Sequence, residues 1–522
     1  MTLFERVFGG NDYNYARTVA AIDEAIAAYG ESEPVSFPGT AYSLPCYYGV
    51  TGVKITTLGE MKAAMDTIKS KMTRNNRLHD AFESGIASAL CAEFLEALKY
   101  LHGAEPYSEP EMGHLTDAFV RNLGVPLVTG DIPGVAVIIG GAEDPAETVA
   151  LAKSYQAQGI LVTLTGDSIK HCFDAGMKLG ENVRVVPLGY EMQSVIHVVS
   201  VAVRAALIFG NVTPGDFASL SKYTMDRVKA FVNAYKPLSD EIVSYGAGAI
   251  CLGFPVISNE TENMFRVPKS LIQQLDISKW NAPSLEARDI KLKITNIDIP
   301  VAFATAFEGE IIRRGDMQVE VDGSRVDCFE LVQTRDASEV EDHKIVVDGP
   351  EIDEVPVGSK ISLSYTVEVA GKAMQPDFES VMERKMHSWI NCIEGVMHTG
   401  QRDMIRIRIS KADFEAGFKF KHLGEVLYAK VKSEFEAVVD KCQVTIVVNP
   451  EKNAALRAAA NEVFDKRDAR LASMTDESVD QYYTCIMCQA FSPSHVCIVT
   501  PERLGLCGAV SWLDAKATYE LN

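Results

Sequence analysis

Apolar residues in the first hundred positions recur with the spacing of a helix. The apolar stripe consists of Leu78, Phe82, Ile86, Leu90, Phe94 and Leu98. Residues four apart share one helical face, so the pattern predicts a helix that packs on another element. A second apolar stretch, 194–210, is interrupted by His197, Ser200 and Arg204. Because it falls short of the roughly 20 clean apolar residues of a membrane span, it predicts a buried helix.

From Val135 onward, short apolar runs alternate with amphipathic stretches. We predict strands at Val135–Ile139, Ile160–Leu164 and Val183–Pro187, a helix entered through Asp144-Pro145, and strand-to-helix turns at Gly140-Gly141 and Gly166-Asp167. This alternation predicts a Rossmann-like or flavodoxin-like parallel sheet. The first turn, Ile139-Gly-Gly-Ala-Glu-Asp-Pro, lacks the three-glycine fingerprint and contains acids. We therefore favour a structural sheet over a dinucleotide site.

After Trp280 the pattern changes to mixed strands and helices, which predict an α+β domain. The predicted elements are strands at Ile290–Ile294, Gln318–Val321, Met404–Ile409 and Val444–Val448, and helices at Phe378–Val396, Leu423–Val439 and Asn453–Arg470. The strongly acidic stretch from Glu339 to Glu354 predicts a solvated surface segment.

Length and charge narrow the class of protein. The chain has 522 residues and a formal net charge of −21. Such a length exceeds one hydrophobic core, so we expect several domains. The acidic balance argues against a nucleic-acid surface, because phosphate binding depends on clustered Lys and Arg. No apolar signal segment follows Met1, so we expect a cytoplasmic protein with reduced cysteines.

Four of the eleven cysteines cluster near the end of the chain, at Cys485, Cys488, Cys497 and Cys507. A redox dithiol would use only the first two, and structural zinc prefers two Cys-x2-Cys knuckles. Uneven spacing over looping segments suits a 4Fe-4S cluster, which we favour while the other two and scattered structural cysteines remain alternatives. The other seven cysteines lie far apart in sequence, which is typical of small buried hydrophobes.

Two residues between these cysteines are further candidates. Phe491 follows Cys488 by three residues, and its ring would shield a metal from water, with an ordinary core role as the alternative. His495 could be a ligand, but four thiolates already complete the ligand set of a cubane. We therefore expect a role for His495 outside the ligand set or at the surface.

The C-terminal region resembles acetyl-CoA synthase, the catalytic partner of carbon monoxide dehydrogenase in anaerobic bacteria that use the Wood–Ljungdahl pathway. The matching segments are Cys485 to Cys497, Pro501-Glu-Arg-Leu-Gly-Leu-Cys-Gly-Ala509 and Trp512-Leu-Asp-Ala-Lys-Ala517. The expected fold is multidomain α/β and α+β. Residues 1–285 would form a helical and Rossmann-like domain that contacts the dehydrogenase, 286–450 an α+β domain, and 451–522 a linker helix and the start of a metal-cluster domain.

The resemblance implies a ligand set and a reaction. Cys485, Cys497 and Cys507 would hold a 4Fe-4S cubane, and Cys488 would bind its remaining iron and bridge to a proximal nickel. Cys488 and Phe491 are therefore the expected catalytic residues. In the family, acetyl-CoA is assembled from a corrinoid-bound methyl group, carbon monoxide and coenzyme A. The implied partners are the carbon monoxide dehydrogenase subunit and the corrinoid iron–sulfur protein.

One departure from the family pattern is the missing Cys-Gly-Cys, which holds a second, distal nickel in the family and does not occur in this sequence. The chain ends at Asn522, where the family's third domain would continue. We therefore expect a truncated chain that can hold the cubane but not the distal nickel. A non-catalytic iron–sulfur scaffold or an electron-transfer subunit is the alternative.

Arginines of the second domain are the candidates for the phosphates of coenzyme A. They are Arg313, Arg314, Arg402, Arg406 and Arg408, with Trp389 available to stack on adenine. Arg406 and Arg408 alternate on a predicted strand and so share one face, which favours anion binding. Solvated strand arginines are the alternative. In the first domain, Val195–Phe209 would supply walls for a gas tunnel, with Phe209 a candidate and ordinary core its alternative.

Overall fold

The structure is a computed structural model. It describes residues 2–75, 77–129, 132–181, 183–258, 280–290, 297–304, 307, 311–372, 374, 376–400, 402–474 and 509–522. The described residues form two compact units, with residues up to 290 in the first and residues from 297 in the second. The division of the second unit into 286–450 and 451–522 stays a prediction.

Unit 1 begins with helices, as the sequence predicts. They are α1 (Leu3–Tyr29), α2 (Pro45–Thr51), α3 (Leu58–Ser70), α4 (Arg77–Leu98) and α5 (Asp117–Thr129). The side chain of Thr2 accepts the N–H of Glu5 while the Glu5 carboxylate accepts the N–H of Thr2, a capping box that starts α1. Helix α4 is more buried than its apolar stripe predicts, because most residues from Asp80 to Ala97 are buried.

Helix α4 is buried on most sides because it packs against α1 and against α10 (Asp240–Cys251). The two helices α4 and α10 approach closely at a pair of glycines. A Cβ added at Gly85 would lie 2.3 Å from the backbone nitrogen of Gly248. Only glycine fits at this contact, since the obstacle is backbone and cannot rotate away.

The predicted parallel sheet of unit 1 is confirmed. Its strands are β1 (Val135–Ile139), β2 (Leu161–Thr165), β3 (Val185–Gly189), β4 (Ala230–Ala234) and β5 (Val256–Ile257), in the order β3-β2-β1-β4-β5. Alternate residues of β1 face two separate cores, with Val137 on one side and Ile138 on the other. A sheet covered on both faces explains why its strands read as continuous apolar runs.

The remaining helices of unit 1 follow the strands. They are α6 (Pro145–Ala157), α7 (Asp167–Asp174), α8 (Ile196–Ile208), α9 (Phe217–Tyr223) and α11 (Asn281–Ala287). Helix α6 begins as predicted, with the Asp144 carboxylate accepting the N–H of Ala146 and Pro145 in the first turn. Helix α8 confirms that 194–210 is buried helix. Of the helices that the structure describes, none is long and apolar enough to cross a membrane.

Unit 2 contains two four-stranded sheets, which confirms a mixed α and β fold. The strands are β6 (Met317–Asp322), β7 (Glu330–Thr334), β8 (Lys344–Asp348), β9 (Ser359–Lys360), β10 (Ser364–Gly371), β11 (Val396–Thr399), β12 (Arg406–Ser410) and β13 (Val439–Val447). One sheet has the order β7-β10-β13-β8 and the other β11-β12-β6-β9. The acidic stretch predicted at the surface contains the edge strand β8, which is exposed or half-buried throughout.

The helices of unit 2 are α12 (Phe378–Asn391), α13 (Lys411–Glu415), α14 (Phe420–Glu434), α15 (Pro450–Leu471) and α16 (Ala509–Leu521). Two predicted helices are too long. The helix predicted to Val396 ends at Asn391, because Gly395 takes a φ of 71° that reverses the chain into β11. The helix predicted to Val439 ends at Glu434, since Val439 is already the first residue of β13. Of the strand predicted at Ile290–Ile294, residues 291–294 lie outside the described residues.

Candidate functional site

The four clustered cysteines and Phe491 lie outside the described residues. The structure does describe the helices on either side of them, α15 and α16. It also describes every other cysteine of the chain. Those seven test whether a different set of thiols could form a metal site.

The seven other cysteines behave as structural residues. Cys46, Cys91, Cys172, Cys328, Cys392 and Cys442 are buried, and Cys251 is half-buried. Burial raises the pKa of Cys91, Cys172 and Cys442 to about 12 each. A thiol must lose its proton to bind a metal, so these groups are poor ligands. Within the described ranges there is no cluster of three or more His, Cys, Asp or Glu residues that could hold a metal ion.

The predicted arginine face of β12 lies opposite acids of β6. Arg406 pairs with Asp322 and Arg408 with Glu320 in the antiparallel register. Two N–H groups of Arg408 donate to one oxygen of Glu320, at 2.8 and 2.7 Å. Arg406 donates to Asp322 at 3.2 Å. Both arginines are therefore ion-paired across the sheet.

These pairs change the ionisation of the two acids. Burial opposes the charge of Glu320, but hydrogen bonds from Arg408 and Lys360 overcome it and lower the pKa of that carboxyl. A hydrogen bond from the Ser324 hydroxyl, with others from Arg406 and Lys360, holds the pKa of Asp322 below its usual range. The acids are thus permanently charged near neutral pH. Lys360, Arg406 and Arg408 lie around these two carboxylates, so among these five described side chains positive charges outnumber negative ones.

Arg313 and Arg314 differ from the strand arginines because both are exposed. Among the described residues, neither guanidinium forms an ion pair. Strand β12 anchors the loop that carries them, since Arg408 donates to the carbonyl of Ile312 at 2.7 Å. Lys411 donates to the carbonyl of Gly315 at 2.8 Å. The structure therefore brings Arg313 and Arg314 to the same part of unit 2 as Arg408.

Arg402 is not part of this group. Its guanidinium makes two hydrogen bonds to the Asp468 carboxylate, at 2.7 and 3.0 Å. It also lies over the ring of Phe464, 4.5 Å from the ring centroid. Both partners belong to α15. Arg402 therefore joins α15 to the sheet region and already has an anionic partner.

Trp389 lies in the core of unit 2 rather than at a surface. It is 4% exposed and belongs to the main apolar cluster of that unit. Its indole N–H donates to Glu434 at 2.9 Å, and its ring contacts Phe435 edge-on. These contacts favour a core role over the predicted stacking on adenine, since the ring is covered by protein.

An apolar cavity lies in unit 1 beside the predicted tunnel stretch. It encloses about 30 Å³, enough for one small molecule, and its walls include Val195, Ile196 and Val199. Phe209 is not among the residues that line it. That residue is the C-cap of α8 and packs half-buried against the core, which favours the ordinary core alternative.

Comparison with known proteins identifies the family. Family models match at residues 299–453 (CO dehydrogenase/acetyl-CoA synthase complex beta subunit), 464–522 (the C-terminal part of the ACS/CODH beta subunit) and 19–101 (the N-terminal domain of carbon monoxide dehydrogenase subunit alpha). The carbon monoxide dehydrogenase/acetyl-CoA synthase subunit alpha of Moorella thermoacetica is 40% identical over 100% of this chain and 72% of its own length. The acetyl-CoA decarbonylase/synthase complex subunit beta 1 of Methanocaldococcus jannaschii is 38% identical, over 99% and 68% respectively. This chain belongs to that family of complex subunits.

Membership of the family confirms the resemblance drawn from the cysteine segment. The C-terminal family match, 464–522, contains the four cysteines together with α16 and the end of α15. The match at 299–453 contains the five candidate arginines of unit 2, which are Arg313, Arg314, Arg402, Arg406 and Arg408. Both candidate regions therefore fall in segments shared with relatives in the complex.

Sequence reasoning missed the acidic partners of the arginines. Glu320 and Asp322 alternate on β6 in the same way that Arg406 and Arg408 alternate on β12. Two alternating sets of opposite charge are the signal of a cross-strand ladder. Finding it required pairing β6 with β12, and these strands are separated by many residues and several other elements.

Proposed function

We propose that this chain is the subunit that assembles acetyl-CoA from a corrinoid-bound methyl group, carbon monoxide and coenzyme A. The observation that carries the proposal is the set of four cysteines inside the C-terminal family match, 464–522. The seven other cysteines are buried or half-buried, and none of them belongs to a potential metal-holding group among the described residues, so the set of four is the chain's candidate for soft-metal binding. Membership of the family supports the same reaction.

The donor set fits a 4Fe-4S cluster, because four thiolates are the usual ligands of a cubane. Cys485, Cys497 and Cys507 would hold three irons, and Cys488 would hold the fourth and share its sulfur with nickel. When bound, such a centre supplies a soft metal at which a methyl group, carbon monoxide and a thiol are joined. Phe491 would exclude water from it. These 522 residues contain no Cys-Gly-Cys for a distal nickel.

The coenzyme A phosphates are assigned to the exposed arginines Arg313 and Arg314. They carry charge that no described acid neutralises, and a loop anchored by Arg408 holds them in place. Arg406 is assigned a further contact with the phosphates, because 43% of its side chain is exposed although it is paired with Asp322. Arg408 positions the loop rather than the phosphates, since its charge is already paired with Glu320. Arg402 is left out of the assignment, because it is paired with Asp468 away from this loop.

Two further partners complete the proposal. Carbon monoxide would arrive from a carbon monoxide dehydrogenase subunit, and the small apolar cavity in unit 1 suits an apolar gas better than a polar substrate. The methyl group would come from a corrinoid iron–sulfur protein. Both assignments rest on the family. A cytoplasmic location is part of the same proposal.

Metal analysis of the full chain purified without oxygen tests the metal centre. We expect about four irons per chain in the wild type, the content of one cubane, and loss of most iron in Cys485→Ala and Cys497→Ala. The matched control is Cys251→Ala, which removes a half-buried thiol of unit 1 and should keep its iron. Zinc without iron in the wild type would overturn the proposal.

Coenzyme A binding tests the arginines and separates the enzyme from a non-catalytic scaffold or electron-transfer subunit. Removing Arg313 and Arg314 together should raise the Kd by tenfold or more, since a hydrogen bond to a charged group contributes about 1.5–3 kcal/mol. The control is Arg335→Ala, an exposed arginine paired with Glu368 on the other sheet. Iron binding with no measurable affinity of the wild type for coenzyme A, by titration calorimetry, would favour the scaffold.

A further inference from the structure

Three cations of unit 2 converge on one buried carboxylate oxygen. Arg406, Lys360 and Arg325 each place a side-chain nitrogen near Oδ2 of Asp322, at 3.2, 3.3 and 3.6 Å respectively. The Asp322 side chain is 5% exposed, whereas that of Arg325 is 62% exposed. The carboxylate therefore lies beneath cations that reach the solvent. We call these four residues the Asp322 cluster.

The sheet brings the members of the Asp322 cluster together. Strand β6 lies between β12 and β9. In the register of these strands, Asp322 lies opposite Arg406 on β12, and its neighbour Glu320 lies opposite Lys360 on β9. Arg325 belongs to the turn that follows β6, where its backbone N–H donates to the carbonyl of Asp322 at 2.8 Å. Three separate segments thus supply the three cations.

Positive charge exceeds negative charge around this cluster. Four basic side chains accompany two carboxylates, an excess of two positive charges among these six described side chains, which are Arg325, Lys360, Arg406, Arg408, Glu320 and Asp322. Cations held this close repel one another, and a bound anion would offset that repulsion. The chain as a whole carries a formal charge of −21, so the local excess is not a general property of its surface. It indicates an anion site.

The cations of the cluster also have donors to spare. A lysine has three N–H donors and an arginine has five. Lys360 contacts both Glu320 and Asp322, Arg406 donates to Asp322, and Arg325 lies at ion-pair distance from Asp322. The two carboxylates therefore use only part of the donor set. A phosphate monoester has three acceptor oxygens and a charge of about −1.5 to −2 at pH 7, which matches both the spare donors and the excess charge.

Strand β12 links this cluster to the loop of Arg313 and Arg314. Arg408 follows Arg406 by two residues, which corresponds to about 7 Å along a strand. The Arg408 guanidinium donates to the carbonyl of Ile312, directly before Arg313. The anchor of the loop is therefore close to the Asp322 cluster. Coenzyme A carries its anionic groups in a similar arrangement, with a 5′-diphosphate and a 3′-phosphate monoester on one ribose.

We propose that Arg325, Lys360 and Arg406 form the subsite for the 3′-phosphate of coenzyme A. The 5′-diphosphate is left to Arg313 and Arg314. This inference rests on the proposed function, which supplies coenzyme A as the ligand. It adds Arg325 and Lys360 to the binding residues, and it makes the 3′-phosphate the group by which the site distinguishes coenzyme A from its dephosphorylated form.

Titration calorimetry of the full chain with coenzyme A and with 3′-dephospho-coenzyme A tests the subsite. The wild type should bind coenzyme A about tenfold more tightly, because only this ligand offers a monoester to the three cations. Arg325→Gln should raise the Kd for coenzyme A several-fold and leave the Kd for the dephosphorylated form unchanged. The unchanged Kd also shows that the variant is folded. Lys360→Gln should have the same selective effect.

The matched control is Arg335→Gln, which removes an exposed arginine paired with Glu368 on the other sheet and should change neither Kd. Removing Arg313 and Arg314 together should weaken both ligands, since both carry the diphosphate. Equal wild-type affinities for the two ligands would overturn the inference, as would an Arg325→Gln variant that weakens both ligands alike or neither of them. Absence of binding of either ligand to the wild type would overturn the proposed coenzyme A site, and this subsite with it.

Discussion

Replacing Arg408 by Met should destabilise unit 2 far more than the same change at Arg406. The two residues alternate on β12 and face neighbouring acids of β6. They differ in burial, since 13% of the Arg408 side chain is exposed but 43% of the Arg406 side chain. Met fills the volume of the aliphatic stem, so the change mainly removes charge and hydrogen bonds.

The magnitude follows from what Arg408 leaves behind. Glu320 is fully buried and loses its two shortest contacts, and breaking a buried pair costs about 3–5 kcal/mol. Lys360 remains 3.1 Å from Glu320, which places the expected cost near the lower end, about 3 kcal/mol. At Arg406 the partly exposed pair should contribute below about 1 kcal/mol.

The assay is urea denaturation of the full chain. Unfolding is detected by hydrogen exchange in peptides from β6 and β12, so that unit 2 is observed separately. With an m-value of about 3 kcal/mol/M for a unit of this size, the midpoint for Arg408→Met should fall by about 1 M. Equal shifts for the two variants would refute the reasoning, because burial would then have no influence on the contribution of each pair.

Three further predictions test other parts of the structure. Gly85→Ala should prevent close packing of α4 on α10 and unfold unit 1 at lower temperature in calorimetry, since its Cβ meets backbone at 2.3 Å. Burial raises the pKa of Glu93 to about 7, so the native state keeps this proton to a higher pH than the unfolded state does. Unit 1 should therefore lose stability as the pH rises from 4.5 towards 7. Glu93→Gln should flatten this pH dependence in denaturation titrations. Trp389→Phe should cost about 1 kcal/mol through its lost hydrogen bond to Glu434 and leave the Kd for coenzyme A unchanged, whereas weaker binding would restore the adenine-stacking hypothesis.

Elements with strong local signals were predictable. The alternation around β1 to β3 indicated the parallel sheet, and Asp144-Pro145 marked the start of α6 because capping and a fixed proline φ are local effects. Helix ends in unit 2 were predicted less well. Apolar periodicity continued past Asn391, and only the positive φ of Gly395 showed where the chain turns.

The same distinction between local patterns and tertiary contacts applies to the candidate site. The sequence by itself determined the family and predicted soft-metal chemistry, because four cysteines and the residues between them are a local pattern. The tertiary structure decided whether each candidate cation is exposed or paired with an acid. Arg313 and Arg314 are exposed, while Arg402 and Arg408 are paired with acids far away in the chain. Charge pairing and burial depend on which distant strands and helices meet, and a single sequence does not contain that information in any local pattern.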